Sequence, residues 1–354
     1  MSQQQFQQFV AAIVPSWRKT QRKVLALCVR ALVIRRRCTL SALARALPAS
    51  THVRYRLKRL WRFMDNPRLK LLSGWDALAQ QAGRLHPEGW LPMLLDETGI
   101  RDHATLLSAA VPYQGRALPI ACLAFSPSLI KRSLWALREG LIWRLFQGLG
   151  EEGQRLVIVA DRGFAASHFF RWLKRAKVHF VVRVPQKVYV QWPGFKALLS
   201  QIELKRGGRH FWSGVGYGPK QAQLNLLVIW RRDCREPWLL ASSLDDPKEI
   251  LRLYGLRMRI EAFFKDGKEH FDLELCRLQT GARICAFCFA LSLAFWWLAL
   301  CAPLPPNWEA QVRTRGKLSW LTLALEWLDS LALQSLFEAF PDLSIPLSQV
   351  GQSG

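Results

Sequence analysis

Acidic residues are scarce in this chain of 354 residues. Asp and Glu number 26 against 50 Lys and Arg, a formal charge of +24 at pH 7. Between Met1 and Trp75 there are 16 basic residues and a single acid, Asp65. Such an imbalance points to a polyanionic partner, with nucleic acid the default and an anionic membrane surface the competitor. A disulfide framework is also missing. The eight cysteines are dispersed through apolar or helical text in a long chain, which fits reduced, buried thiols in a cytosolic protein. Cys285 and Cys288 form a CxxC, but no second pair stands at zinc spacing and the pair lies inside an apolar helix, which argues against a metal site. Internal repeats and low-complexity tracts are absent. The start, MSQQQFQQF, has neither the basic nor the apolar region of a signal peptide, so no targeting segment is expected.

One stretch lacks charge altogether. From Ile284 to Trp308 there is no charged residue, and the run is long enough to span a bilayer. Pro303, Pro305 and Pro306 close it. A helix apolar on every side can equally be the buried centre of a large domain, and that is the expectation adopted.

The basic N-terminal text reads as helical. Leu25, Cys28, Val29 and Leu32 form one stripe of a helix over Val24–Ile34. Two more helices are expected either side of Pro48-Ala49-Ser50, the first capped by Thr39 and the second by Ser50 or Thr51. The second carries His52, Arg54, Arg56, Lys58, Arg59 and Arg62, with Tyr55 and Trp61 interleaved. Residue type and spacing fit a helix-turn-helix-like reader of DNA, or a basic bundle that touches only phosphates.

The character changes near residue 90. WLPMLLDETGI is a short apolar run ending in an acid, so Asp96 is expected at the tip of a buried strand. Two further strands follow, joined by a turn at Tyr113–Arg116. A helix is expected over Leu129–Gly150. Leu156–Ala160 then repeats the theme of a buried strand ended by an acid, Asp161, followed by a helix over Ala165–Ala176 and a strand over Val178–Val184. Between about 186 and 244, four stretches alternate or run apolar and are split by Gly and Pro, which reads as β-rich. LYGLRMRIEAFFKDGK, Leu253–Lys268, reads as one helix. On it Tyr254, Arg257, Glu261 and Lys268 fall within a narrow arc, a face suited to gripping phosphate and metal or, taken alone, equally a solvated face with an Arg-Glu pair four apart. Gly267 weakens a helix interior and puts Lys268 at or just past the helix end.

Asp96 and Asp161 on strand ends and Glu261 on a helix that can pack against the same sheet make a set of three carboxylates. Such a set can hold a pair of magnesium ions for in-line displacement at phosphorus. Surrounding Lys and Arg would bring in the phosphate.

These residues resemble a known family. The Asp-x-Thr of Asp96–Thr98, the Asp-Arg-Gly-Phe of Asp161–Phe164, and Tyr254, Arg257, Glu261 and Lys268 are similar to the motifs of the DDE transposases of the insertion-sequence-four family. That family's signature is Tyr, two residues, Arg, three residues, Glu, six residues, Lys, and the spacing here matches at every step. The resemblance covers roughly Asp96 to Phe289. It implies an α/β protein with an RNase H-like catalytic core, a mixed sheet flanked by helices, and a β-rich insertion. The divisions implied are a basic helical DNA-binding region at 1–88, the catalytic core at 89–185 and 245–303, the insertion at 186–244, and a C-terminal helical region at 304–354 that serves dimerisation or intramolecular packing. Asp96, Asp161 and Glu261 would be catalytic and would bind two Mg²⁺ or Mn²⁺ ions. Tyr254, Arg257 and Lys268 would contact DNA phosphates, with Arg162, Arg54, Arg56, Lys58 and Arg59 as further DNA contacts. Relatives can stack a flipped base on an aromatic of the insertion, for which Trp192, Trp212, Trp230 and Trp238 are available.

The implied activity is metal-dependent cleavage and strand transfer at the inverted terminal repeats of an insertion sequence, cut-and-paste transposition. The implied partners are double-stranded DNA, as transposon ends and target, and a second copy in a synaptic homodimer, with no membrane. The implied location is a bacterial cytoplasm, at the nucleoid. The contrasting readings are a non-catalytic DNA-binding or membrane-associated basic protein, and a nuclease without strand joining.

Overall fold

The structure, a computed structural model of the chain, describes residues 3–48, 50–129, 131–301 and 319–330. Five helices precede the first strand: α1 (Gln3–Ile13), α2 (Lys19–Arg35), α3 (Leu40–Ala46), α4 (Val53–Met64) and α5 (Leu71–Leu85). The stripe Leu25, Cys28, Val29 and Leu32 of α2 is fully buried. Thr39 caps α3, its hydroxyl oxygen accepting from the Ala42 N–H at 3.3 Å. The cap of α4 is His52 rather than Ser50 or Thr51. Its Nδ1 accepts from the Arg54 N–H at 3.3 Å, so an imidazole nitrogen serves the orphan donor that a hydroxyl would otherwise serve.

The sheet has ten strands in the order β3-β2-β1-β4-β5-β10-β9-β8-β6-β7. β1 (Leu91–Ile100), β2 (Ala104–Tyr113) and β3 (Arg116–Phe125) form an antiparallel meander. Its second turn is Gln114-Gly115, both at positive φ, as a two-residue hairpin turn requires. After α6 (Lys131–Leu149), β4 (Leu156–Ala160) inserts parallel to β1. α7 (Ser167–Arg175) then leads to β5 (His179–Arg183), parallel to β4. Crossovers through helices are what parallel neighbours need. The sheet continues through residues 189–242 with β6 (Tyr189–Trp192), β7 (Phe195–Leu198), β8 (Arg209–Tyr217), β9 (Ala222–Ile229) and β10 (Trp238–Ser242). β10 joins these strands to β5 by antiparallel pairing. The result is an α/β protein with a mixed sheet flanked by helices.

Two expectations change. Asp96 lies within β1, not at its tip, because antiparallel pairing with β2 carries the strand on to Ile100. The parallel pairing with β4, however, stops one residue before Asp96, at Leu95↔Ala160. The presumed single helix over Leu253–Lys268 is two: α8 (Pro247–Gly255) and α9 (Met258–Phe271). The break follows Gly255, and tight three-residue hydrogen bonds carry the chain across it, from the Leu256 N–H to Leu253 O at 3.1 Å and from the Arg257 N–H to Tyr254 O at 3.0 Å. Arg257 thus sits at the start of α9. At the other end α9 runs through Gly267, which is buried against Leu273, and keeps Lys268 inside its last turn.

The uncharged run forms α10 (Gly281–Cys301). It is long and apolar enough to cross a membrane, yet 89% of its apolar window is buried inside the protein. It packs on β3 and against α2, α4, α5 and α11 (Trp320–Ser330). Trp297 stacks on Phe6, Phe289 meets Trp17 and Trp75, and the Trp296 indole N–H donates to Pro119 O at 2.8 Å. The expected dimerisation region falls largely on residues 302–318 and 331–354, outside the described residues.

Helices α5 and α10 approach closely because Gly74 has no side chain. A Cβ there would stand 2.4 Å from the Phe289 ring, which Trp17 and Trp75 hold from two sides. Gly74→Ala should therefore lower stability. Overpacking of about 1–3 kcal/mol is set against about 1 kcal/mol of helix propensity gained. Urea denaturation with an unchanged slope and a lower midpoint is the expected result.

Candidate active site

Register brings the first two acids together. Leu95 and Ala160 are the last partners of the parallel pair, and the next residues on the two strands are Asp96 and Asp161. Each carboxylate is oriented by a nearby backbone donor. The Glu97 N–H donates to Asp96 Oδ1 and the Gly163 N–H to Asp161 Oδ1, both at 2.8 Å. Gly163 suits this turn, since a Cβ on it would stand 3.0 Å from Asp161 Oδ1.

The third acid comes from α9. Glu261 lies in its first turn, one helical turn from Arg257. The Arg257 guanidinium reaches all three acids. Its Nη2 is 3.0 Å from Asp96 Oδ2 and 3.7 Å from Asp161 Oδ2, and its Nη1 is bonded to Glu261 Oε1. The Arg257 and Asp96 side chains are only 12% and 14% exposed. Burial opposes the charge on Arg257, but Asp96 and Glu261, with Tyr254 and Asp161, outweigh it and hold the guanidinium protonated. Burial pushes Asp96 up from 3.8 to about 6, against the pull of Arg257 and the Glu97 N–H, with Asp161 and Glu261 adding to the rise.

A second basic group borders Asp161. Arg162 and Arg183 both donate to Glu236 Oε1, at 2.8 and 2.6 Å. Tyr254 is buried and meets Trp238 edge to face at 5.0 Å, and burial raises its phenol. Lys268 stands apart from the acids. It pairs with Glu274 at 3.2 Å, seven residues along α9 from Glu261 and hence about 10 Å along the axis.

On α4, Arg54, Lys58, Arg59 and Arg62 are exposed with Tyr55 and Trp61. Arg56 instead turns inward and donates to Leu47 O at the end of α3. Of the four tryptophans considered for base stacking, Trp192 and Trp212 stack on each other at 5.0 Å, and His210 stacks on Trp212 at 5.3 Å. Trp230 donates to Cys234 O and Trp238 packs on Tyr254. Arg138, Arg183, Glu97 and Glu236 also take part in the site's contacts. Glu97 had a signal in the sequence, its place in the Asp-Glu-Thr motif; the other three had none.

The family model described as "Transposase DDE domain" matches residues 141–297. That is under half of the chain; it includes Asp161, Arg257, Glu261 and Lys268 and begins after Asp96. The match supports a DDE transposase, with the nuclease activity and the DNA partner that this implies. No curated protein matches the chain.

A pH dependence follows from Asp96. Its value in the folded protein lies above the ordinary one, so the folded state holds a proton that the unfolded chain releases. That contribution to stability is fully present below about pH 4 and is lost as pH rises through about 6. Thermal melts in EDTA should show Asp96→Asn gaining on the unaltered protein between pH 4 and pH 7. A difference that stays flat over that range would rule out a raised Asp96.

Proposed function

We propose that the chain is a DDE transposase of the insertion-sequence-four type. It would cleave DNA at inverted terminal repeats and transfer the ends to a target, moving an insertion sequence by cut-and-paste. The convergence of Asp96, Asp161 and Glu261 on one guanidinium carries the reading. The strand order β3-β2-β1-β4-β5, with an antiparallel meander and two parallel additions, supports an RNase H-like core. The proposed division assigns residues 1–88 to DNA binding, 89–185 and 245–303 to the core, 186–244 to an insertion, and 304–354 to a helical region that includes dimer contacts.

The donor chemistry suits divalent metal, although among the described residues no group of three His, Cys, Asp or Glu is arranged to hold an ion, the three acids here being turned to Arg257. Three carboxylates against one guanidinium leave a formal excess of two negative charges in a half-buried site. Oxygen donors of this kind suit Mg²⁺ or Mn²⁺. Asp96, Asp161 and Glu261 would hold two such ions, which when bound activate an attacking water or 3′-hydroxyl and stabilise the leaving oxygen. The protein's own part is orientation and charge. Backbone donors fix one oxygen of each aspartate and leave the other facing the centre. Arg257, Arg162 and Lys268 supply cations for backbone phosphates, and Tyr254 lines the same region. The exposed face of α4, with Arg54, Lys58 and Arg59, adds sequence-independent affinity, while Arg56 also braces α3. The Trp192–Trp212 pair offers a stacking surface on the insertion.

The working form is a homodimer on paired transposon ends, in the cytoplasm of a bacterium at its nucleoid. The burial of α10 favours this over a membrane-associated role. Asp96→Ala, Asp161→Ala and Glu261→Ala should each reduce Mg²⁺- or Mn²⁺-dependent cleavage of the repeat-bearing DNA by at least about 10³-fold. Affinity for the uncleaved DNA should stay within a fewfold, read by fluorescence anisotropy. Full cleavage by any of the three variants would sink the assignment.

A further inference from the structure

Arg138, on α6, is a buried cation outside the acid cluster. Its side chain is 7% exposed and lies between two aromatic rings, 4.6 Å from the Trp135 centroid and 4.3 Å from that of Phe164. Its Nε donates to Glu97 Oε1 at 2.8 Å and its Nη1 to Gly163 O at 3.0 Å. These two acceptors belong to the very residues whose N–H groups orient the strand-borne acids. Glu97 donates to Asp96 Oδ1, and Gly163 donates to Asp161 Oδ1. One rigid fork therefore ties together the two backbone donors that aim the two aspartates.

The arrangement follows from strand geometry. Neighbouring residues of a strand point to opposite faces, so Asp96 faces α9 and Arg257 while Glu97 faces α6 and Arg138. The parallel pairing of β1 with β4 ends at Leu95↔Ala160, so the ladder brings the two aspartates side by side but pairs neither of them directly. Arg138 bridges the two chains beyond the end of the ladder. A guanidinium suits this role because its planar donors are spaced to reach two acceptors at once, which a single ammonium does less rigidly.

We propose that Arg138 is a positioning residue that sets the spacing of the Asp96 and Asp161 carboxylates for divalent metal, resting on the function proposed above. Its removal would loosen the pair of aspartates without touching a ligand.

The test is metal affinity, measured apart from catalysis. Mn²⁺ binding to the DNA-free full chain is titrated by electron paramagnetic resonance for the unaltered protein, Arg138→Lys, Arg138→Met and Asp96→Asn. Thermal melting is recorded for each. Arg138→Lys and Arg138→Met should weaken Mn²⁺ binding by about 10–100-fold, the usual range for the groups that orient metal ligands. Cleavage by both variants should recover in part at raised Mn²⁺. Gly74→Ala, destabilised at the contact of α5 with Phe289 of α10, should melt lower with unchanged Mn²⁺ affinity, which separates positioning from general loss of stability. Arg138→Lys keeps the buried charge and guards against a variant that does not fold. Glu97→Gln, isosteric with the side chain it replaces, is a second route to the same loosening and should weaken binding severalfold. A folded Arg138 variant that binds Mn²⁺ within twofold of the unaltered protein overturns the positioning role. If the unaltered protein binds no Mn²⁺, or Asp96→Asn binds it equally well, the metal-dependent function itself falls.

Discussion

The pairing of β1 with β4 stops at Leu95 and Ala160, and the site depends on where it stops. Two parallel strands lie about 4.8 Å apart, so the next residues on each are forced into proximity. Both are aspartates. At a separation of about 5 Å and an effective dielectric near 20, two full charges repel by roughly 3 kcal/mol. A third acid on α9 adds to that repulsion. The fold meets it with Arg257, whose guanidinium touches all three. The break after α8 makes this contact available, because it starts α9 at Arg257 and sets Glu261 one turn further on.

Much of this was legible in the sequence, for reasons that differ by element. Leu156–Ala160 is five apolar residues closed by Asp161, and a fully buried strand can only be written that way. The three acids stood out because the chain has so few in apolar text. The extent of β1 was not legible, since Glu97 and Thr98 are polar and the strand continues only because β2 pairs with it. The break between α8 and α9 was hidden as well. Gly255 alone is a weak signal, and the turn forms in a context where Tyr254 is buried against Trp238, a residue sixteen positions earlier. Gly267 misled in the opposite direction: a glycine that weakens an isolated helix is accommodated when it packs inward. Arg138 was invisible because one arginine among fifty basic residues carries no mark of burial; only the neighbours Trp135, Phe164 and Glu97 distinguish it.

The apolar helix α10 shows the same dependence on context. Periodicity cannot separate a core helix from a membrane helix when every face is apolar. The distinction lies in whether the rest of the chain supplies enough apolar surface to cover it. Here α1, α2 and α5 do so, with Phe6, Trp17 and Trp75 against Trp297 and Phe289. The N-terminal helices therefore have two faces with separate tasks. One closes the core over α10, and on α4 the other presents Arg54, Lys58, Arg59 and Arg62 to solvent. A basic composition and a large buried core coexist because each helix divides them between its sides.

The charge balance at the acids carries a further consequence for how substrate and metal meet. Arg257 neutralises only part of the cluster, and its Nε is buried with no hydrogen-bond partner among the described residues. A buried ion pair of this kind is weak evidence for stability on its own. What it does show is one guanidinium in contact with all three carboxylates. Divalent ions would take over that neutralisation more completely than one guanidinium can. A DNA phosphate would in turn offer Arg257 a partner that matches its planar fork. On the function proposed above, metal at the acids would free the arginine, and phosphate at the arginine would free the acids. Binding of DNA and loading of metal would then be coupled through a single side chain. The backbone donors of Glu97 and Gly163 hold the Oδ1 atoms of the aspartates, and Arg257 meets the Oδ2 atoms, so the two sets of contacts do not share an acceptor.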